Sequence, residues 1–396
     1  DQIALSSGEL VREWSEGDRH YFHYKPTTKV IPMLAYFSAD YATKKTYFKG
    51  ISIEQYYDEE HDFNINQIEE SSQHALDYCM ENFGAYPFDH LRIAEIPGHW
   101  PFGGFAHPGL ISMVEDRLYL TDISNPEAFN LVAKRTIHEV AHQWWGHILT
   151  PKVASGGAIF TEGFAKYTEA VIMDKYYGKR AVYQLAQTAN RRYFQGRSYS
   201  SNLEPPLYME DEQSYLAYGK SYTVMLALRD LLGEQQLNTV MRDLIDRFGS
   251  SNAFSINSTH FLEALYEASP TEHHVLIDDW FKRVITYDLG ITESSHKELA
   301  NGQFEISIKV KAKRSQMLDT GDTKAIGINE PIQIGLFRKH PSLISKEDTI
   351  LYLKPHQITK DGQEFKIIVE ELPVHIAIDP YGTRCEERLT DNVIQL

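Results

Sequence analysis

The sequence predicts an α+β fold, with a mainly helical domain followed by an antiparallel β-sandwich domain. Two patterns along the chain carry this prediction. From about residue 126 to 289 apolar side chains recur every three or four residues, as on one face of a helix, whereas after about 292 they alternate with polar side chains. Alternation is typical of antiparallel strands that are buried on one face. With 396 residues, of which 42% are hydrophobic, the chain is long enough for two or three domains.

The N-terminal part predicts strands and then a long helix. Residues 20–57 are rich in aromatic and β-branched residues, which favour strands. Over 64–83 the apolar residues keep helical spacing, and Gly84 is expected to end this helix because glycine readily forms a C-terminal cap. We therefore predict a β-rich N-terminal segment at 1–57 that leads into a helical domain at 58–291.

The C-terminal part, residues 292–396, predicts the β-sandwich. Apolar and polar residues alternate over 304–312, 332–336 and 365–369. Half-buried antiparallel strands have this pattern, and several of them in succession form a sandwich. We expect this domain to be a structural brace.

The strongest functional signal is the sequence His-Glu-Val-Ala-His at 138–142. Two histidines four residues apart lie on one face of a helix, so His138 and His142 can reach the same metal ion with Glu139 beside it. Catalytic zinc takes three protein ligands and keeps one position for water, and Glu162 on the next predicted helix supplies the third ligand. Apolar residues surround the motif, which is typical of a helix buried beneath a cleft. We predict one zinc ion at this site.

These residues predict the hydrolysis of a peptide bond. Zinc lowers the pKa of a bound water from about 15.7 to about 7, and the carboxylate of Glu139 can accept its proton as the water attacks a carbonyl carbon. In this prediction His138, His142 and Glu162 hold the metal, and Glu139 is the general base.

The sequence resembles the M1, or gluzincin, zinc aminopeptidases. The matching segments are HEVAHQWWGH at 138–147, TEGFAKYTE around Glu162, and Tyr-Gly-Lys at 218–220. The resemblance implies a thermolysin-like catalytic domain at 58–291 and aminopeptidase-like cleavage of peptides. It also implies that Tyr218 donates a hydrogen bond to the oxyanion of the tetrahedral intermediate, which a phenol can do.

One segment departs from the family pattern. The family carries a Gly-x-Met-Glu-Asn segment whose backbone lies along the substrate and whose glutamate binds the free α-amine. In this sequence Ala106 stands at the glutamate position. An alanine offers no counter-charge to an ammonium group, and Glu95 and Glu115 are nearby candidates unless they are ordinary surface carboxylates. The predicted substrate-binding residues are Gly103, Gly104, Phe105 and Ala106.

Two alternatives to an aminopeptidase therefore stay open. One is an endopeptidase that lacks strict recognition of the N-terminal amine. The other is a catalytically weak domain that binds peptides or a partner protein and retains its zinc site. The presence of Glu139 and Tyr218 favours catalysis, whereas Ala106 favours the alternatives.

Composition limits the partners. The net charge is −16, from 55 acidic and 39 basic residues, which argues against a nucleic acid. The zinc motif makes a peptide the expected substrate. No run of about 18 apolar residues is present to cross a bilayer, so we expect no membrane contact from this chain. The sequence gives no signal of oligomeric state.

A second resemblance concerns location. The chain is short for the family, and in this respect it is similar to the M1-like domains that some bacterial membrane proteins, including ABC-transporter permeases, carry outside the membrane. The resemblance implies an extracytoplasmic location and a possible tether in a longer chain, with the cytoplasm as the alternative.

Overall fold

The computed structural model divides into two compact units. The first comprises residues 1–153 and 238–256, and the second comprises 154–237 and 257–396. The predicted three-part division, with boundaries after 57 and 291, stays a prediction. The residues that the structure describes are 2–210, 213–249 and 253–396.

The first unit contains strands and helices from the N-terminal part of the chain. Its strands are β1 (Ile3–Ser6), β2 (Glu9–Glu16), β3 (Arg19–Lys25), β4 (Tyr36–Ala39), β5 (Ala42–Phe48), β6 (Ile51–Tyr57), β7 (His90–Ile96), β8 (Gly104–His107) and β9 (Leu110–Val114). Its helices up to residue 153 include α1 (Ile65–Phe83) and α2 (Leu131–Ala141). The strand-rich start and the helix predicted over 64–83 are thus confirmed.

A mixed five-stranded sheet organises the first unit, in the order β5-β6-β7-β9-β8. β6, β7 and β9 run parallel, whereas β5 and β8 are antiparallel to their neighbours. α1 makes the crossover from β6 to β7, because parallel neighbours cannot be joined by a tight turn. β8 is the last strand in this order, so it forms an edge of the sheet next to β9.

α1 and α2 pack against each other and bury their apolar faces. Gly84 has a φ of 110°, in the region that favours glycine, and it follows the last residue of α1 as expected. The carbonyl of Gly84 accepts a 3.0 Å hydrogen bond from the indole of Trp144, which is itself fully buried. The end of α1 is therefore tied to the segment that follows α2.

The second unit begins with helices. They are α3 (Phe164–Tyr177), α4 (Lys179–Tyr199), α5 (Ser221–Leu232), α7 (Ser258–Glu267) and α8 (His274–Lys282). The helix α6 (Glu234–Phe248) begins in the second unit, and from residue 238 onwards it belongs to the first unit. A loop containing Pro205 and Pro206 lies between α4 and α5. No helix within residues 2–210, 213–249 and 253–396 is long and apolar enough to cross a bilayer.

The C-terminal part of the second unit is an antiparallel β-sandwich. Two four-stranded sheets, β10-β11-β12 with β15 on β11, and β14-β13-β16-β17, pack on one apolar core that includes Ile306 and Ile308 from one sheet and Ile334 and Leu336 from the other. The predicted sandwich is thus confirmed. Its strands are β10 (Val284–Glu298), β11 (Phe304–Met317), β12 (Thr323–Ile326), β13 (Glu330–Phe337), β14 (Tyr352–Ile358), β15 (Glu364–Val369), β16 (His375–Ile378) and β17 (Val393–Gln395).

Candidate active site

α2 sets the two histidines of the motif side by side. The helix starts at Asn130, whose side-chain oxygen accepts a 2.9 Å hydrogen bond from the N–H of Ala133 and so caps the first turn. His138 lies in its last turn, and His142 follows with a backbone that is still helical, at φ −61° and ψ −17°. The two ring centroids are 4.8 Å apart and the ring planes are nearly perpendicular, at 85°. The imidazoles therefore converge as the spacing predicted.

The orientation of His142 is fixed by the turn after α2. Its Nδ1 lies 3.0 Å from the carbonyl oxygen of Trp145. A carbonyl can only accept, so Nδ1 carries the hydrogen and Nε2 keeps the lone pair that a metal requires. A ligating histidine whose other nitrogen donates to a carbonyl is a recurrent arrangement in metal sites.

Glu139 lies against the edge strand β8. A Cβ atom added to Gly104 would come within 3.0 Å of the carboxylate oxygen Oε1 of Glu139 and within 2.6 Å of the sulfur of Met113. The backbone of the strand can approach this carboxylate only because residue 104 has no side chain. The structure thus brings the predicted substrate-binding segment next to the predicted general base.

Two side chains that follow the motif hold the β8–β9 hairpin. Oε1 of Gln143 accepts a 2.9 Å hydrogen bond from the N–H of Gly109, and Nε2 donates a 3.0 Å bond to the carbonyl of His107. Nε2 of His147 donates a 3.0 Å bond to the carbonyl of Ala106. These contacts were not predicted from the sequence, because they depend on how the hairpin docks beside α2.

A neutral histidine lies beside Ala106. Ala106 is buried, and burial lowers the pKa of the neighbouring His147 to about 3, so this imidazole is uncharged near neutral pH. A neutral imidazole that already bonds a carbonyl gives no counter-charge to a free amine. The local chemistry at Ala106 therefore agrees with the departure from the family pattern.

Glu95 and Glu115 form a separate group with His61. The carboxylate of Glu95 bonds Nδ1 of His61 through one oxygen and accepts a 2.7 Å hydrogen bond from the N–H of Asp58 through the other. Oε1 of Glu115 accepts a 2.7 Å bond from the N–H of Gly98. Burial raises the pKa of Glu95, and the hydrogen bond to Glu95 raises the pKa of His61. No pattern in the sequence indicated that His61 would join these carboxylates.

Glu162 lies in the second unit, in a π-helical turn, Ile159–Gly163, that leads directly into α3. The sequence predicted a helix through Phe164, and α3 begins at that residue. A Cβ atom added to Gly163 would lie 3.2 Å from the Cβ of Ser221, so the turn packs tightly on the start of α5.

Tyr218 lies in a second π-helical turn, Tyr215–Lys220, which leads into α5. The guanidinium of Arg192 stands over its ring, 4.0 Å from the centroid. The turn is held close to α4, since a Cβ atom on Gly219 would come within 2.9 Å of the carbonyl of Ala189.

Lys220 anchors the same turn. Its side chain is buried, and its ammonium forms a 2.8 Å ion pair with the buried carboxylate of Glu204. Glu204 also accepts a 2.8 Å hydrogen bond from the hydroxyl of Tyr193. In the Tyr-Gly-Lys segment, Gly219 therefore allows the turn to pack closely on α4, and Lys220 fixes the turn through its ion pair with Glu204.

Within the first unit one group of described side chains could hold a metal ion, because three ligand atoms of His61, Glu95 and Glu115 lie within 4.8 Å of one another. Two imidazoles and a carboxylate are the donor set of many hydrolytic zinc sites, so the chemistry of His138, His142 and Glu162 fits zinc.

Comparisons with known proteins agree with the motifs. Residues 68–280 match the family described as "Peptidase family M1 domain". Endoplasmic reticulum aminopeptidase 2 of Homo sapiens is 25% identical over 264 residues, which cover 63% of this chain and 27% of that protein. Aminopeptidase N of Lactobacillus helveticus is 24% identical over 325 residues, which cover 77% of this chain and 37% of that protein.

A solved structure shows the same fold. The crystal structure of Legionella pneumophila aminopeptidase A in complex with aspartic acid superposes with a TM-score of 0.59 at 13% sequence identity, over 98% of this chain and 43% of that chain. The α+β fold predicted from the sequence is thus confirmed. This chain spans less than half the length of each of these three relatives.

Proposed function

Because the chain belongs to peptidase family M1, we propose that it is a zinc-dependent hydrolase of peptide bonds. The observation that carries the proposal is the end of α2. Its two histidine rings converge, with centroids 4.8 Å apart, and Glu139 on the same helix touches the edge strand β8. The relatives named above are described as aminopeptidases, which makes a peptide the expected substrate.

We propose His138, His142 and Glu162 as the ligands of one zinc ion. Bound zinc would polarise the substrate carbonyl and lower the pKa of a water molecule to about 7. Support comes from the donor set itself and from the hydrogen bond that directs Nδ1 of His142 to the carbonyl of Trp145.

Glu139 is the proposed general base. Its carboxylate accepts the proton of the attacking water and then delivers it to the nitrogen of the departing amine, so one group serves both proton transfers. Such a group contributes about 10²- to 10⁴-fold to a rate. The contact with Gly104 supports this role, because it keeps the carboxylate beside the strand along which a peptide would lie.

Tyr218 is the proposed donor to the oxyanion. Its hydroxyl would give a hydrogen bond to the oxygen on which negative charge develops, and removing such a donor typically costs about 10²- to 10³-fold in rate. Support comes from the packing at Gly219 and the ion pair of Lys220, which hold the turn in place before the substrate arrives.

An endopeptidase is the second candidate, and Ala106 is the observation that favours it. In the family a glutamate at this position binds the free amine, and here a buried alanine and a neutral His147 take its place. Because neither Ala106 nor the neutral His147 supplies a counter-charge, a peptide whose N-terminus continues past this point would lose little binding energy.

Metal content and turnover, measured on the same preparations, test the proposal. We expect about one zinc per chain and peptide hydrolysis in the unaltered protein. Glu139→Gln is expected to keep the zinc and to lose at least about 10²-fold in kcat, because the amide cannot accept the proton. His142→Ala is expected to lose zinc.

Glu81→Gln, which replaces an exposed glutamate on α1, serves as the matched control and should leave both quantities unchanged. Full turnover by Glu139→Gln would contradict the mechanism. A zinc-loaded protein that binds peptides without cleaving them would instead indicate the binding domain.

A further inference from the structure

A row of aromatic side chains runs along the segment that enters β8. The ring centroids of Trp100 and Phe102 are 5.5 Å apart, and those of Phe102 and Phe105 are 6.3 Å apart. His99 stacks on Trp100 at one end and His107 lies 4.9 Å from Phe105 at the other. We call Trp100, Phe102 and Phe105 the aromatic row.

Much of the row faces solvent. Trp100 is 45% exposed and Phe105 is 41% exposed, although both are large apolar residues. Phe102, between them, is half-buried. Leaving apolar surface in water is unfavourable by about 25 cal/mol for each Å², so two exposed rings in contact with a half-buried one indicate a surface that another apolar group covers.

The row flanks the contact with the proposed general base. Gly104, which touches Glu139, lies between Phe102 and Phe105 in the chain. Side chains alternate along a strand, so Gly104 and Ala106 share one face of β8 and Phe105 shares the other with His107. Ala106 is buried on its face, whereas Phe105 on the other face is 41% exposed.

If a peptide pairs with the edge of β8, the strand geometry determines which of its side chains lie beside the aromatic row. Its side chains would alternate between the two faces of the extended sheet, and every second one would lie on the face of Phe105. Side chains on neighbouring strands of one face are in contact, and aromatic pairs there stabilise the pairing beyond the area that they bury.

We propose that the aromatic row selects extended peptides that carry large apolar side chains at alternate positions. This selectivity rests on the proposed peptide hydrolysis, because it concerns the substrate class of the same site. It assigns Trp100, Phe102 and Phe105 as specificity-determining residues, distinct from those that hold metal or move protons.

Binding and cleavage of three labelled peptides test the proposal. The first alternates Phe and Ser over eight residues, the second has the same composition with its Phe residues clustered at one end, and the third replaces every Phe by Ala. Binding is measured by fluorescence anisotropy on Glu139→Gln, so that turnover does not interfere, and cleavage is measured as kcat/KM on the protein with Glu139 intact.

We expect the alternating peptide to bind about tenfold more tightly than the clustered one and to be cleaved preferentially. Trp100→Ala and Phe102→Ala should each remove most of this difference, and Trp100→Phe should restore it, because the ring is retained. Tyr47→Ala is the matched control: Tyr47 is 71% exposed on β5, at the other edge of the same sheet, and its loss should change nothing.

The outcomes distinguish a failure of the proposed selectivity from a failure of the proposed hydrolysis. Equal affinity for all three peptides, or unchanged selectivity in Trp100→Ala and Phe102→Ala, would overturn the role of the row even if cleavage is efficient. Selective binding that depends on the row would support it even if no peptide is cleaved, in which case only the hydrolysis would be overturned.

Discussion

Gly104 controls the position of the carboxylate of Glu139. The strand backbone touches this side chain, and a single methyl group on residue 104 would overlap both Met113 and Glu139. A displacement of about 1 Å of a catalytic group can cost about 10²-fold in rate. A glycine at position 104 is therefore expected to be necessary for the position that Glu139 takes as the proposed general base.

Gly104→Ala should lower kcat by about ten- to a hundredfold with little effect on folding, because the two groups that must move are the ends of flexible side chains. Steady-state kinetics and the melting temperature check this. Gly327→Ala is the matched control, since a Cβ atom there meets no heavy atom within 4 Å and should leave kcat unchanged. An unaltered kcat in Gly104→Ala would show that the contact does not position Glu139.

At this scale the sequence predicts what depends on spacing alone. The four-residue interval between His138 and His142 places both rings on one face of α2, and the structure agrees. The hydrogen bonds of Gln143 to the β8–β9 hairpin, and the association of His61 with Glu95, join residues far apart in the chain. No periodicity carries that information.

Among the elements, two π-helical turns each carry a proposed functional residue. Ile159–Gly163 contains Glu162, and Tyr215–Lys220 contains Tyr218. Such turns are frequent at functional sites, where the wider spacing redirects a side chain. The sequence predicted ordinary helix around Glu162, because apolar spacing does not distinguish one wide turn from regular helix.

The turn that holds Tyr218 should depend on a buried ion pair. Glu204→Ala would leave the ammonium of Lys220 buried without its carboxylate, and it should lower the free energy of unfolding by about 3–5 kcal/mol. Thermal unfolding measures this loss. The double variant Glu204→Leu with Lys220→Met should recover part of the stability, because the buried ammonium is removed, whereas Arg197 still loses its 3.1 Å ion pair with Glu204. An equal loss in both variants would show that packing, not the ion pair with Lys220, holds the turn.

At the scale of the whole molecule, two buried carboxyl groups, Glu386 and Asp379, should each contribute stability that is lost as the pH rises from about 4 to about 8. Burial raises the pKa of Glu386 to about 8 and that of Asp379 to about 6. Unfolded carboxyl groups titrate near pH 4, so between these values each of the two groups binds more protons in the native chain than in the unfolded chain. Its contribution to stability then decreases with increasing pH, by linkage.

Melting temperatures across this range check the expectation. Glu386→Gln should remove the falling contribution of this carboxyl group, so its melting temperature should rise relative to that of the unaltered protein as the pH increases, because the amide has no proton to lose. Its neighbour Glu387 is exposed, so Glu387→Gln is the matched control and should keep the slope of the unaltered protein. A slope that Glu386→Gln leaves unchanged would contradict the assignment.

Local patterns predict much of the fold but not its assembly. Alternation at 304–312 and 332–336 correctly predicts β11 and β13, and helical spacing predicts α1. The order β5-β6-β7-β9-β8, which makes β8 an edge, depends on pairings between distant segments. Position at that edge is what exposes Phe105, so the aromatic row could not be recognised from the sequence alone.

The most direct measurement uses peptides that are each prepared with a free and with an acetylated N-terminus. Products are identified by mass spectrometry with zinc-loaded protein, after chelation and after zinc is restored. We predict cleavage that disappears on chelation and returns with zinc. Removal of single N-terminal residues from free peptides alone would establish an aminopeptidase, and cleavage of both forms an endopeptidase. Absence of any cleavage by the zinc-loaded protein would contradict peptide hydrolysis.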